Sequence, residues 1–339
     1  NVLLCLSALL QLYAERRRHD DQSPNISVRL LSKVGDDLFG QHVLQLLSGG
    51  LFDDIDDGTR QGKVNIDTTF VSRERGSTAI SHIIVSGSRH EERTIIHSPA
   101  STSELLLNET DASLFLRDID LLFLDGRHVH AAKQLVQHCS RIQASIKVVL
   151  ELERIKPSEP ELLDLIPYSH YILCSESFID EYVSHEKLSV HSLNRFNSED
   201  GDDGDEGDKI IGTIVHLFER MKTPTSNSYV NISFGSRGSL LLTRRSNFLH
   251  EAKEQQYSSQ FVETSLSHIV QQVTSNDDDT CSSSNAPIIT RDVPDEEEII
   301  RPTVSYARVH THDSYVLIHC QAWKQLPLKD TTCAGDSFH

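Results

Sequence analysis

The most reactive-looking string lies near the C-terminal end: Asp330-Thr331-Thr332-Cys333-Ala334-Gly335-Asp336-Ser337-Phe338. The string follows a strand-like run and a loop and leads toward a helix start. The small residues at 333–335 would let backbone N–H groups approach an anion. A helix N-terminus adds a field that favours negative charge. An aspartate at that mouth, Asp336, can accept the proton of a hydroxyl as it attacks a phosphoryl group. On residue types alone, a small-residue turn capped by an aspartate is the plainer reading. Only the order of the residues departs from it.

Other constellations carry less. Ser233-Phe234-Gly235-Ser236-Arg237-Gly238 reads first as a glycine-rich hairpin turn. The pairs His128-Val129-His130 and His310-Thr311-His312 have metal-ligand spacing, but spacing places no third ligand beside either. They read as surface or strand histidines. Glu and Asp crowd into 202–208 without EF-hand spacing, so that run reads as a solvated loop. The chain contains no P-loop string, so any nucleotide must be held by another cradle.

Periodicity outlines the strands and helices around these strings. Short β-rich runs, several of them nearly continuous in apolar residues, predict strands at 27–34, 121–125, 146–151, 171–174, 229–234, 239–243 and 315–319. Helical patterns fall between them at 37–47, 129–142 and 209–221. In the second, Ala132, Leu135, Val136 and Cys139 share one face. This alternation predicts an α/β fold with a largely parallel sheet covered by helices. Residues 79–85 and 93–97 read as two strands joined by a polar turn, a hairpin at 79–97 able to act as a flap beside a cleft. The polar stretches 197–208 and 275–285 read as disordered surface insertions.

Composition narrows the class. The chain has 339 residues, 37% hydrophobic and 24% charged, with a net charge of -18. That field repels nucleic-acid backbones and anionic membrane surfaces. The 6 cysteines include no C-x-x-C pair, so they read as reduced thiols in a reducing compartment. The apolar opening, Asn1 to Leu12, precedes its basic cluster Arg16–Arg18. It is shorter than the roughly 20 apolar residues that a span requires. The chain is expected to begin inside a helix and to stop before another, a piece cut at both ends.

The residue order at 330–336 resembles the D-T-x-G-A-G-D signature of the ribokinase (PfkB-type) carbohydrate kinases. It matches at six of seven positions when x is free and departs at Cys333. The resemblance extends along the chain. Asn1-Val2-Leu3-Leu4-Cys5 is similar to the helix after the family's Gly-Gly-Asn segment. Val34-Gly35-Asp36-Asp37-Leu38-Phe39-Gly40 resembles its G-x-D-x-x-G turn, and 233–238 its T-x-G-x-x-G strand and loop. Leu124-Asp125-Gly126-Arg127 and 148–153 resemble the ketohexokinase-like branch. Arg93-Thr94-Ile95-Ile96-His97 resembles the lid strands of plant and algal members of unassigned substrate.

The resemblance implies a single domain over 1–339, a three-layer α/β/α sandwich with a mostly parallel central sheet and a small β lid. It implies ATP-dependent phosphorylation of a sugar hydroxyl with Asp336 as general base. The N–H groups of Cys333, Ala334 and Gly335 would form the anion hole. Ser233, Gly235, Gly238 and Thr331 would line the nucleotide pocket, and Asn1 and Arg127 would touch substrate. Asp330 and Thr332 would hold a monovalent cation such as K⁺, with Mg²⁺ accompanying ATP. The implied partners are a small sugar and ATP, neither nucleic acid nor membrane; a homodimer is left open. The implied compartment is the cytoplasm, with a plastid open. The family's N-x-x-E segment would fall at Ser175-Glu176-Ser177-Phe178, where neither residue stands in its place. A non-catalytic binding or regulatory relative, and a kinase of a nucleoside or other small alcohol, stay open beside the sugar kinase.

Overall fold

The computed structural model describes residues 27–48, 65–86, 92–142, 145–155, 160–186, 206–221, 228–244, 261–263, 307–311 and 315–320. They fall into two compact units. One comprises residues up to Val148 together with 161–168; the other comprises 149–160 and 169–326. Among the described residues no helix is long and apolar enough to cross a membrane.

In the first unit, β1 (Ser27–Gly35) leads into helix α1 (Leu38–Ser48) and returns as β2 (Asn65–Glu74). The two strands are parallel, from Ser27 opposite Asn65 to Gly35 opposite Glu74, with a register shift between Arg29 and Leu31. Parallel neighbours need a crossover, and α1 lies within it. Charge ties this unit together. Arg29 Nε donates to Asp67 at 2.9 Å, and its Nη1 donates to the carbonyls of Phe115 and Arg117 at 2.7 and 2.9 Å. Those carbonyls end helix α2 (Glu109–Phe115), whose other end is capped by Asn108 Oδ1 accepting from Asp111 N. The helix therefore has an amide-oxygen cap at its positive end and a cation at its negative end.

Next come β3 (Ile80–Ser86) and β4 (Glu92–Ser98), an antiparallel ribbon running from Ile80–Ser98 to Ser86–Glu92. The two strands expected at 79–85 and 93–97 pair here, and the residues between them lie outside the described residues. Ile83, Ile84, Ile95 and Ile96 are all exposed on it. Then β5 (Leu121–Leu124) precedes helix α3 (Val129–Ile142). The face Ala132, Leu135, Val136 and Cys139 is buried, as its spacing predicts. At the start of β6 (Lys147–Leu152), Lys147 N–H donates to the Asp120 carbonyl just ahead of β5.

The second unit holds a sheet in the order β10-β11-β12-β9-β8-β7-β6. Its strands are β7 (Tyr171–Ser175), β8 (Tyr229–Ser233), β9 (Ser239–Arg244), β10 (Phe261–Glu263), β11 (Ala307–Thr311) and β12 (Tyr315–Cys320). The inner strands β6, β7 and β8 are parallel, with Leu152 opposite Cys174 and Ser175 opposite Ser233. β9 and β12 then run antiparallel, and β10 and β11 parallel, so the fold is α/β. Helices α4 (Glu176–His185) and α5 (Glu206–Arg220) bury Phe178, Ile179 and Tyr182, and Ile214, Leu217 and Phe218. Leu150, Ile172, Val230, Ile232 and Leu240 are fully buried. Burial of such side chains contributes about 1.5–3 kcal/mol each.

One boundary differs from expectation. The acidic stretch 197–208 is not loop to its end, because α5 begins at Glu206. Acidic residue types suit the first turn of a helix, so the charge that suggests disorder also favours a helix start. Residues 197–205 and the second insertion, 275–285, lie outside the described residues.

Candidate functional site

The parallel strands of the second unit end together, and the carboxyl ends of parallel strands are where α/β sheets bind ligands. β8 ends at Ser233 and is joined to β9 by a tight turn at 234–238, closed by the Ser233–Ser239 pair. Phe234 N–H donates to the Gly238 carbonyl at 2.8 Å, and Gly238 N–H donates to the Gly235 carbonyl at 3.1 Å. Gly235 has φ 58° and Gly238 has φ 94°. Both are conformations that residues with a Cβ rarely adopt, which accounts for the G-x-x-G spacing. A Cβ at Gly235 would meet nothing within 4 Å, so backbone conformation rather than crowding demands glycine there. The turn is thus the hairpin its composition suggests, and it also stands at the carboxyl end of a parallel strand.

Three side chains converge on it. Arg237 forms an ion pair with Glu176, the first residue of α4. Its guanidinium lies 5.5 Å from the centroid of the Phe234 ring. Its carbonyl accepts from Nε2 of His319 on β12 at 2.9 Å. Glu176 is placed by Ser175, whose Oγ caps α4 by accepting from Phe178 N–H and donates to the Glu153 carbonyl at the end of β6. Ser175 and Glu176 occupy the place expected for the N-x-x-E segment, and here the carboxylate faces a guanidinium. Sequence alone gives Arg237 no role of its own, and His319 stands out there only as a histidine after the His310-Thr311-His312 pair. An arginine inside a glycine turn and a histidine in an apolar strand carry no spacing signal.

In the first unit, the string 34–40 makes a junction between strand and helix. Asp37 caps α1, its Oδ1 accepting from Gly40 N–H at 2.8 Å and from Thr78 Oγ1 at 2.6 Å. Its Oδ2 accepts from Thr78 N–H at 2.9 Å. The Thr78 hydroxyl, with these neighbouring amides, holds the Asp37 carboxyl below the usual carboxylate range. The glycines are needed for space. A Cβ on Gly35 would fall 2.3 Å from the Gly76 carbonyl oxygen, and one on Gly40 would fall 2.1 Å from that of Gly35. The string thus fixes the root of the β3–β4 ribbon to the end of β1.

Arg127 follows β5. Its N–H donates to Asp125 Oδ1 at 3.1 Å around Gly126, whose φ is 69°. Its guanidinium is exposed, with Nε 3.6 Å from Asp125 Oδ2. His130 lies between two carboxylates, Nδ1 at 2.5 Å from Glu104 and Nε2 at 3.4 Å from Glu161. Among the described residues no group of three or more His, Cys, Asp or Glu side chains is set to hold a metal. Burial raises the Cys139 thiol to about 11 and the Cys174 thiol further, so neither is a nucleophile near neutral pH. Asn1, His312 and the whole string Asp330, Thr331, Thr332, Cys333, Ala334, Gly335 and Asp336 lie outside the described residues.

No family model matches the chain, and no curated protein matches it. Among solved structures it is similar to a ribokinase of Thermotoga maritima, at 17% identity and TM-score 0.38, over 63% of this chain and 56% of that one. It is similar to an adenosine kinase of Anopheles gambiae at 13% identity and TM-score 0.44, over 63% and 55%. A PfkB protein of Polaromonas is similar at 12% identity and TM-score 0.41, over 63% of each chain. The chain spans less than two thirds of the length of each of these structures.

Proposed function

We propose that the protein is an ATP-dependent phosphotransferase that moves the γ-phosphoryl group of ATP to a hydroxyl of a sugar or similar small polyol. The observation that carries this is the residue order Asp330-Thr331-Thr332-Cys333-Ala334-Gly335-Asp336, standing after two further glycine strings in the family order. The geometry of those strings is compatible with it. Gly35-x-Asp37-x-x-Gly40 locks a strand to a helix, and Gly235-x-x-Gly238 turns at the carboxyl end of a parallel strand.

In this mechanism Asp336 takes the proton of the acceptor hydroxyl as its oxygen attacks the γ-phosphorus. The N–H groups of Cys333, Ala334 and Gly335 stabilise the charge on the transferred group. Ser233, Gly235, Gly238 and Thr331 hold the nucleotide, and Asn1 and Arg127 orient substrate. The ribbon at 79–97 excludes water, which limits hydrolysis of ATP. Asp330 and Thr332 would bind a monovalent cation that steadies the anion hole. Glu176, at the place of the family's N-x-x-E segment, is paired with Arg237. Magnesium would accompany ATP as its complex and offset the charge of its phosphates.

The missing N-x-x-E pattern at 175–178, with Cys333 in the signature, favours one second reading: a PfkB-type binding or regulatory protein that does not turn over. The test is to incubate the full chain with γ-labelled ATP and a panel of sugars and nucleosides. Label on a sugar is the expected result. Label on a nucleoside alone changes the acceptor class. Binding of ATP with no label on any acceptor establishes the non-catalytic reading.

A further inference from the structure

We propose that Arg237 is a phosphate-selecting residue held by Glu176 in an exchangeable ion pair, so that a nucleotide's phosphates compete with that carboxylate for the guanidinium. This rests on reading the 233–238 turn as a nucleotide loop.

The backbone and the side chain of Arg237 are held by different partners. The backbone is fixed by the Phe234 N–H to Gly238 carbonyl bond and by His319 Nε2 donating to the Arg237 carbonyl. His319 is 1% exposed and lies on β12, so this anchor belongs to the sheet. The side chain is held by Glu176 and by the Phe234 ring. Neither the Phe234–Gly238 bond nor the His319 contact uses the guanidinium, so exchanging Glu176 for an anion leaves both in place. Its present partner is the more exposed of the two, at 37% against 20% for Arg237. A carboxylate more than a third exposed returns to water at little cost, so Glu176 is the partner that can give way to an anion. A phosphate offers the same planar fork more acceptor oxygens and more charge. Glu176 is then a charge stand-in that keeps Arg237 placed while no anion is present.

The test is calorimetric titration of the full chain with ATP and, separately, with adenosine, for the wild type, Glu176→Gln, Arg237→Gln and Arg237→Lys. Glu176→Gln removes the competing charge and is expected to tighten ATP about threefold, leaving adenosine unchanged. Arg237→Gln is expected to weaken ATP about tenfold or more, again without moving adenosine. Arg237→Lys keeps the charge and recovers part of that loss. Thermal unfolding of each variant checks that the fold persists. If ATP and adenosine change by equal factors in Arg237→Gln, the arginine only shapes the turn and the proposal is overturned. Weaker ATP binding in Glu176→Gln overturns it as well, because the carboxylate would then serve the nucleotide. Wild-type binding of ATP with silent variants removes this proposal alone. Absence of wild-type binding to either ligand removes the nucleotide reading with it.

Discussion

Alanine is the better helix former, so a rule based on propensity alone says that Gly40→Ala should stabilise α1, by up to about 1 kcal/mol. The structure reverses that sign. The new Cβ would sit 2.1 Å from the Gly35 carbonyl oxygen, with Thr78 Oγ1 at 2.9 Å. An ordinary carbon–oxygen contact is roughly 3.3 Å, so the end of β1 and the start of α1 must separate by about 1 Å. The atom in the way is backbone, and it cannot swing aside as a side chain could. Overpacking of this kind costs about 1–3 kcal/mol, and separation also stretches the Asp37 cap. The net expectation is a loss of roughly 1–2 kcal/mol, or about 3–8 °C in Tm for a unit of this size. Thermal unfolding followed by circular dichroism reads it directly. Gly235→Ala is the informative comparison, since nothing crowds that position and only its φ of 58° opposes a Cβ. Its cost is the left-handed penalty of about 1–2 kcal/mol, with no movement of neighbours. A Tm for Gly40→Ala equal to or above that of the wild type would refute the steric reasoning.

Three further perturbations follow from the same contacts. Arg29→Met removes the partner of Asp67 and the cation at the end of α2, and should cost roughly 1–2 kcal/mol in urea unfolding. Stability should fall in acid, because the carboxyls of Asp37, Asp67 and Glu74 are all held below their ordinary values of 3.8, 3.8 and 4.5. Groups lowered by folding contribute stability that is complete above those values and is lost as pH falls through and below them. Unfolding at pH 7, 5 and 3.5 should show little change over the first interval and a clear drop over the second. Finally, Cys139 and Cys174 should resist alkylation in the native protein at pH 8 and react fully in denaturant, as peptide mapping after iodoacetamide would show.

What the sequence disclosed depended on how strongly each segment is buried. The runs that became β6, β7 and β8 are apolar on both faces, and their near-continuous Val, Ile and Leu made them easy to place. Helix α3 was legible because its buried face repeats at helical spacing. By contrast β2 has only Ile66, Phe70 and Val71 as apolar residues and is otherwise polar, so no period stands out. Its pairing with β1 is reinforced by Arg29–Asp67 and Lys33–Glu74, which no local pattern announces. Helices α2 and α4 have 7 and 10 residues, and α2 is too short for a clear stripe. Their caps, Asn108 and Ser175, were the available signals. At the candidate site the glycines of 235–238 were visible by spacing. The Glu176–Arg237–His319 convergence was not, because its members come from α4, the turn after β8, and β12, and only the sheet order brings them together.

The most direct measurement of the phosphotransferase mechanism is single-turnover transfer from labelled ATP in the full chain carrying Asp336→Asn, with ATP affinity measured in the same preparation. Loss of a general base costs about 10²–10⁴-fold in rate. The mechanism therefore predicts a fall of that size with ATP binding retained. Transfer at the wild-type rate in Asp336→Asn would contradict it.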